Sequence, residues 1–454
     1  MFFPRGGSAQ VVRYLSRAMV GQGWSTRVVA GSLGGPDDPG NARAFFGPGT
    51  DLIAVPYDAA VGAPDPLLAS PPMQPSYEDR PGAPDRAIAG LDDRIAHHLA
   101  DEWTRILGAR GVLDGIELAH LHHLTPIHQA LARLRPDLPV VTHLHGTELL
   151  MLEEADRGAS WPHQREWRAR MRRWAQNSTR VIVSSEPSGV DAVRLLGIDP
   201  ERMVVVPNGV DLSLFSGPPA SAEQRAELFR RWLCEKPRGW SPASPRPGEV
   251  RYSVDQIAPL LDPDAVVTLY VGRFTAVKRT ALLVRAHARA RQRLGRPLPL
   301  LLVGGAPGEW EGEHPAEAAA RSPWGHEVFF AGWRSHEELA QVLACGDLLA
   351  VPSVAERFGQ VYIEAMAMRL PVIACDVAAP PTYIDADPAS PDRSGWLVPP
   401  DDEAALAQAL VDAASNPAER DIRGENGRRR ARERFPWERV ARSVAEIYAA
   451  ATER

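Results

Sequence analysis

Asp347-Leu348-Leu349-Ala350-Val351, then the turn Pro352-Ser353, then Glu356-Arg357-Phe358-Gly359-Gln360-Val361-Tyr362-Ile363-Glu364-Ala365-Met366-Ala367, reads as strand, turn and helix in succession. The strand is a continuous apolar run, as expected for a parallel sheet covered on both faces. Gly359 marks the helix entry, with Glu356 just ahead of it and Glu364 inside it. Backbone N–H groups near Phe358–Gln360 would then face a cleft as donors to an anion or hydroxyl. Two carboxylates so spaced reach different parts of one elongated ligand, and a carboxylate accepts adjacent hydroxyls such as those of sugars and riboses. Glu364 lies amid Val361, Ile363, Ala365 and Met366, so its charge must have a partner.

Outward from this unit the same grammar repeats. Thr26–Ala30, Val181–Ser184, Met203–Val206, Val266–Val271, Pro299–Val303 and Pro371–Cys375 are further buried-strand runs. Val11, Val12, Leu15, Ala18 and Met19 form a helical stripe before the Gly21–Gly23 stop, and Leu282, Leu283, Ala286 and Ala290 form another. Alternating helix and strand predicts an α/β chain with doubly wound parallel sheets. Three blocks rich in Pro break the rhythm, at about 58–92, about 216–264 and Gly305–Trp324, and are expected to be loops or insertions. The turn Pro207-Asn208-Gly209-Val210-Asp211 places a boundary between Rossmann-like halves, 1–207 and 208–435, with 436–454 as a tail whose Val440, Val444, Ile447 and Tyr448 form an amphipathic stripe. Only Met1-Phe2-Phe3 precede Pro4-Arg5-Gly6-Gly7, short for a strand of about five residues, and we expect the true start to lie upstream.

Composition narrows the partners. The 454 residues carry 51 Lys plus Arg against 57 Asp plus Glu, a net charge of −6, which argues against nucleic acid. With 44% apolar and 24% charged residues the chain is of globular composition. It shows no apolar run of membrane-spanning length and no signal-peptide pattern. Its three cysteines, Cys234, Cys345 and Cys375, are widely spaced, which fits a reducing cytoplasm.

Gly6-Gly7 lies ahead of the first helix, where the backbone can approach a ligand and free N–H groups meet an anion; a plain tight turn is the alternative. Val271-Gly272-Arg273 ends a strand and Lys278 follows, so an Arg and a Lys at a strand end would suit a diphosphate, or would be a solvated helix-start pair. His120, His122, His123, His128, His143 and His145 form a group, but a strand running into a loop with no Cys or acidic ligand set predicts no metal site. Trp161–Trp174, with Arg165, Arg168, Arg170, Arg172 and Arg173, reads as a membrane-surface helix, an acceptor-binding helix, or a solvated face with its stems packed down.

The chain resembles the retaining glycosyltransferases of family 4, which have the two-domain GT-B fold, over nearly all its length outside the Pro-rich blocks. Glu356-x7-Glu364 in its Pro-Ser-x-x-Glu-Arg-Phe-Gly-Gln context carries the resemblance. It is supported in order by Gly6-Gly7, Thr142-His143-Leu144-His145-Gly146, Val206–Asp211, Val271-Gly272-Arg273 with Lys278, Leu302–Gly305, Phe330–Gly332 and Gly395–Pro400. Two departures stand out: Arg369 occupies a position the family usually fills with Gly, and Ala378-Ala379-Pro380-Pro381-Thr382 stands where a Gly pair and a glutamate are usual.

The resemblance implies roles at matched positions. Arg273 and Lys278 would bind the donor diphosphate and stabilise the leaving group. Glu364 would hold the nucleotide ribose. Glu356 and the amides of Phe358, Gly359 and Gln360 would hold the sugar hydroxyls. His145 would face the transferred sugar, and Gly6 and Gly7 would approach donor phosphate and acceptor. The N-terminal half would bind the acceptor, the C-terminal half the nucleotide sugar, and the tail helix would cross back to the N-terminal half. The implied activity is retaining, metal-independent transfer from a UDP-sugar, with no cofactor beyond that co-substrate. A sugar-phosphate synthase, a nucleotide-sugar epimerase and a non-catalytic nucleotide-sugar-binding module are the alternatives.

Overall fold

The computed structural model describes residues 6–38, 40–77 and 86–453; the strand stub expected at Met1–Phe3 lies outside them. The chain divides into two compact units, Met1–Gly209 together with Trp437–Arg454, and Val210–Pro436.

The second unit holds a six-stranded parallel sheet. Its strands are β7 (Thr268–Val271), β8 (Leu300–Val303), β9 (Val328–Gly332), β10 (Leu348–Val351), β11 (Val372–Cys375) and β12 (Gly395–Val398), in the order β12-β11-β10-β7-β8-β9. Renumbered from β7 and read from the other edge, this is 3-2-1-4-5-6, the doubly wound Rossmann order, whose direction of winding reverses between β7 and β10. The strands are short but buried, with all four residues of β8, β10 and β11 enclosed. Helices Thr280–Leu294, Gln360–Ala367 and Glu403–Ser415 contribute to the same apolar cluster. Asp402 caps the last of these by accepting from the Ala405 N–H at 2.8 Å.

The first unit has a four-stranded parallel sheet, β3 (Ala119–His122), β4 (Val140–Leu144), β5 (Arg180–Val183) and β6 (Met203–Val205), ordered as in the chain, and a separate parallel pair, β1 (Arg27–Ser32) and β2 (Asp51–Pro56). The helix Trp437–Thr452 belongs to this unit. Its stripe Val440, Val444, Ile447 and Tyr448 is buried in one cluster with Val11 and Leu15 of the first helix, Gly6–Val20, and with Val141 and Ile182 of the sheet. Tyr14 stacks on Trp437 at 5.7 Å and 13°. At about 1.5–3 kcal/mol per fully buried large aliphatic side chain, this stripe is ample to hold the helix down.

The Pro-rich blocks are less loop-like than their composition suggests. Within 216–264, Ala222–Arg230 is a helix that runs into a π-helical turn, Arg231–Glu235, and buries Phe229, Trp232 and Leu233 in the second unit's core. It opens with a reciprocal capping box between Ser221 and Gln224, a signal present in the sequence that outweighs the prolines beyond it. Arg225 then grips Asp347 with two hydrogen bonds of 3.0 and 2.8 Å. Pro315–Ala320 is likewise a short helix within the third block, and Asp58–Val61, Pro66–Leu68 and Ile88–Gly90 are helical turns within the first. No helix among the described residues is long and apolar enough to cross a membrane.

Candidate functional site

The carboxyl ends of β7 and β10 flank the point where the winding of the second sheet reverses, which is where open α/β sheets bind ligands. Chain from both ends meets there: the Val354 N–H donates to the Val277 carbonyl at 2.9 Å. Lys278 Nζ lies 2.5 Å from Glu356 Oε2, with both side chains largely enclosed. Arg273, exposed at the end of β7, has its carbonyl fixed by the Tyr270 hydroxyl at 2.6 Å, and burial pushes that phenol's pKa well up. One residue beyond Lys278, Arg279 forks onto Asp401 at 2.5 and 3.1 Å.

The turn from β10 into helix Gln360–Ala367 is held from several sides. The Glu356 carbonyl accepts from the Ala379 N–H at 3.0 Å, and the Phe358 carbonyl accepts from the Tyr383 hydroxyl. Gly359 caps the helix at φ +86°. A Cβ there would stand 2.4 Å from Cδ2 of Tyr362 and 2.8 Å from Cγ of Glu356, so the position needs glycine on both conformational and steric grounds. Tyr362, with no exposed surface, donates its hydroxyl to the Val351 carbonyl at 2.5 Å and ties helix to strand.

Glu364 is 2% exposed, and the partner its burial demands is His336, whose Nε2 lies 2.9 Å from Oε1. His336 opens helix His336–Ala344, whose capping box Ser335/Glu338 places the imidazole at the first helical position. Sequence reading did not single it out. The Ser-x-x-Glu capping signal locates the helix, but nothing local shows that its first residue faces Glu364.

Gly6, Gly7 and His145 lie in the first unit. Gly6 and Gly7 begin the first helix, both exposed, Gly6 at φ +78°. His145 directly follows β4, just before Gly146 turns left-handed into helix Thr147–Asp156. Its Nε2 lies 2.8 Å from His122 Nδ1. Burial first, and neighbouring histidines second, push its pKa well down, so the ring is neutral. Nearby, His123 Nδ1 bonds to the fully buried Glu148 at 2.7 Å; burial pushes that carboxyl's pKa up, but the His123 imidazole together with backbone N–H groups, that of Gly146 among them, more than offsets it, and the net shift is downward.

The arginine-rich segment is helix Gln164–Asn177, with Trp167, Arg170 and Trp174 buried. Arg168 pairs with Asp156 at 2.6 Å and Arg170 with Asp93 at 2.7 Å, while Arg172 donates to the Leu195 carbonyl at 3.1 Å. Both departures from the family pattern fall at left-handed backbone: Arg369 at φ +63° and Ala378 at φ +60°. This is the conformation that favours glycine.

Comparison with known proteins agrees with this architecture. The family profile "Glycosyltransferase Family 4" matches residues 5–214, and "Glycosyl transferases group 1" matches residues 265–416. A D-inositol 3-phosphate glycosyltransferase of Kineococcus radiotolerans is 31% identical over 275 residues, 59% of this chain and 56% of the relative. One of Catenulispora acidiphila is 32% identical over 282 residues, 60% of this chain and 56% of the relative. The chain thus spans about half the length of the curated relatives it matches. Among solved structures, sucrose-phosphate synthase from Thermosynechococcus elongatus superposes with a TM-score of 0.64 at 24% identity, covering 99% of this chain and 94% of that one. A glycosyltransferase from Rickettsia africae superposes with a TM-score of 0.65 at 16% identity, covering 99% and 96%. These similarities show the GT-B fold, and with two family profiles matched in order along the chain, the chain belongs to glycosyltransferase family 4.

Proposed function

We propose that the protein is a retaining glycosyltransferase that moves a sugar from a UDP-sugar to a small-molecule acceptor. The observation that carries this reading is the Lys278–Glu356 pair at the reversal point of a Rossmann sheet. A cation and a carboxylate held side by side can part onto one ligand: Lys278, with Arg273, onto a diphosphate, and Glu356 onto sugar hydroxyls. Breaking the sugar–phosphate bond develops a cation-like sugar and additional charge on the diphosphate. Groups already fixed in place to meet that charge lower the barrier. The N–H groups at the start of helix Gln360–Ala367 add partial positive charge. Glu364, already aligned by His336, is assigned the ribose. His145, kept neutral, would serve the sugar as a hydrogen-bonding group rather than as a cation. Retention fits attack on the face the leaving group departs, with the phosphate taking the acceptor proton; family membership is what supports that step.

The donor assignment draws support from the Anabaena protein HepE, solved with UDP-glucose, at a TM-score of 0.64 and 17% identity. D-inositol 3-phosphate is the first acceptor to offer, because the curated relatives cited above are named for it. The test is UDP release from a panel of UDP-sugars with and without acceptor, with mass spectrometry of the products. Acceptor-dependent release is expected, and Lys278→Ala and Glu356→Ala should each lose about 2–3 kcal/mol of transition-state stabilisation, roughly 30- to 150-fold in kcat/KM. Binding without turnover would convert the reading to a nucleotide-sugar-binding module, and near wild-type rates in either variant would overturn the site.

A further inference from the structure

We propose that His120, His122 and His143 form a binding site for one divalent transition-metal ion of the class imidazole favours, Zn2+ foremost. This goes against the expectation from sequence, where a strand running into a loop with no Cys or acidic ligand set predicts no metal site; the three-histidine grouping arises only when two strands pair. His120 and His122 are two apart on β3 and so share a face of the sheet. His122 stands in direct register with His143 on the parallel neighbour β4. One ligand nitrogen from each of the three lies within 4.8 Å of the other two.

The hydrogen bonds select the form a metal needs. His120 Nδ1 lies 2.6 Å from the Tyr448 hydroxyl, and His122 Nδ1 lies 2.8 Å from His145 Nε2. With Nδ1 of each so occupied, its Nε2 is left to ligate. Among the described residues, Nε2 of His120 and both ring nitrogens of His143 are buried without a hydrogen-bond partner. His143 is 2% exposed and His122 7%. A buried polar atom left unsatisfied is costly, and a metal bond would more than offset that cost. Metal-ligating histidines are usually held through their other nitrogen, and Tyr448 and His145 stand where such partners belong.

The rings pack face to face, His120 on His122 at 4.4 Å and 23°, and His120 on His143 at 5.6 Å and 5°. Three nitrogens about 2.1 Å from one tetrahedral ion lie about 3.4 Å apart. From the 4.8 Å bound, loading therefore requires the rings to turn and close by up to about 1.4 Å. The set offers nitrogen and no carboxylate, which disfavours Mg2+ and Ca2+ and suits Zn2+, Co2+ or Ni2+. Two consequences follow for this chain's own residues. Tyr448 lies on helix Trp437–Thr452, so an ion would brace that helix to the sheet. An ion on His122 Nε2 would fix its Nδ1–H as a donor to His145, and so fix the tautomer of His145.

The experiment uses the full chain, stripped with chelator, reloaded with Zn2+ or Co2+ and passed through gel filtration, with Mg2+ in parallel. About one equivalent of Zn2+ per chain should be retained, and Co2+ should give the intense visible bands of a tetrahedral nitrogen site. His120→Asn with His143→Asn should abolish both, with far-UV circular dichroism checking the fold. Tyr448→Phe, which removes only the hydroxyl, should weaken zinc about 10-fold. His97→Asn, at an exposed histidine, should change nothing. No zinc retained by the parent chain, or equal retention in the double variant, would show a purely structural imidazole stack and overturn the proposal.

Discussion

Replacing Gly359 by alanine tests the site's geometry at its tightest point. The position has φ +86°, and the added methyl carbon would stand 2.4 Å from Cδ2 and 2.7 Å from Cε2 of Tyr362, and 2.8 Å from Cγ of Glu356. Left-handed backbone costs an alanine about 1–2 kcal/mol, and overpacking adds about 1–3 kcal/mol when neighbours cannot give. Tyr362 cannot give cheaply: its ring is fully buried and its hydroxyl is bonded to the Val351 carbonyl. Relief on the other side moves Glu356 off Lys278. The sum is about 3 kcal/mol. For a unit of this size, Val210–Pro436, at about 2–4 °C per kcal/mol, that lowers the melting transition by roughly 6–12 °C. Gly295→Ala separates the two contributions, because Gly295 has φ +64° but nothing within 4 Å of its would-be Cβ. It should cost only the backbone part, about 1–2 kcal/mol. Scanning calorimetry of both variants, with UDP-glucose titration, is the assay. A Gly359→Ala transition no lower than that of Gly295→Ala would refute the steric argument, and unchanged UDP-glucose affinity would refute the coupling to Glu356.

Arg369→Gly and Ala378→Gly should each stabilise the second unit by about 0.5–1 kcal/mol, since relief of left-handed strain exceeds the added entropy of the unfolded chain; a lowered denaturation midpoint in both would refute this. His336→Leu leaves the buried Glu364 carboxylate without its imidazole partner and should cost about 3 kcal/mol or more in urea denaturation, whereas His336→Gln, which can still donate, should cost less; equal costs would argue against the pair. His287 is 1% exposed, donates Nε2–H to the Leu298 carbonyl at 2.6 Å, and has its pKa lowered by burial to about 4. Its folded pKa lies below the unfolded value near 6.5, so protons favour unfolding: stability is full above pH 6.5 and falls by up to about 1.4 kcal/mol per unit down to pH 4. His287→Gln should flatten that decline between pH 6.5 and 4, and an unchanged slope would show that His287 does not carry it.

Much of the fold is legible because its signals are local. Continuous runs such as Leu300–Val303 and Leu348–Val351 can serve only as enclosed strands, and the stripes at Val11–Met19 and Val440–Tyr448 can serve only as one-sided helices. The helix at Ala222–Arg230 was obscured by the surrounding prolines, although Ser221 and Gln224 announced it. β2 and its pairing with β1 were not read, because the exposed residues at either end of Asp51–Pro56 dilute the apolar run that a covered strand would show.

Sequence alone determined that the chain alternates helix and strand, that Glu356 precedes a helix which contains Glu364, and that a buried Glu364 needs a partner. These follow from steric and solvation rules acting within a few residues of chain. Tertiary structure decided which partners arrive. The strand order put Lys278 against Glu356 across 78 residues of chain. Helix packing brought His336 to Glu364, and the register of β3 on β4 turned scattered histidines into a cluster. Burial makes each of these groups require a counterpart, but only the path of the whole chain determines which residue supplies it.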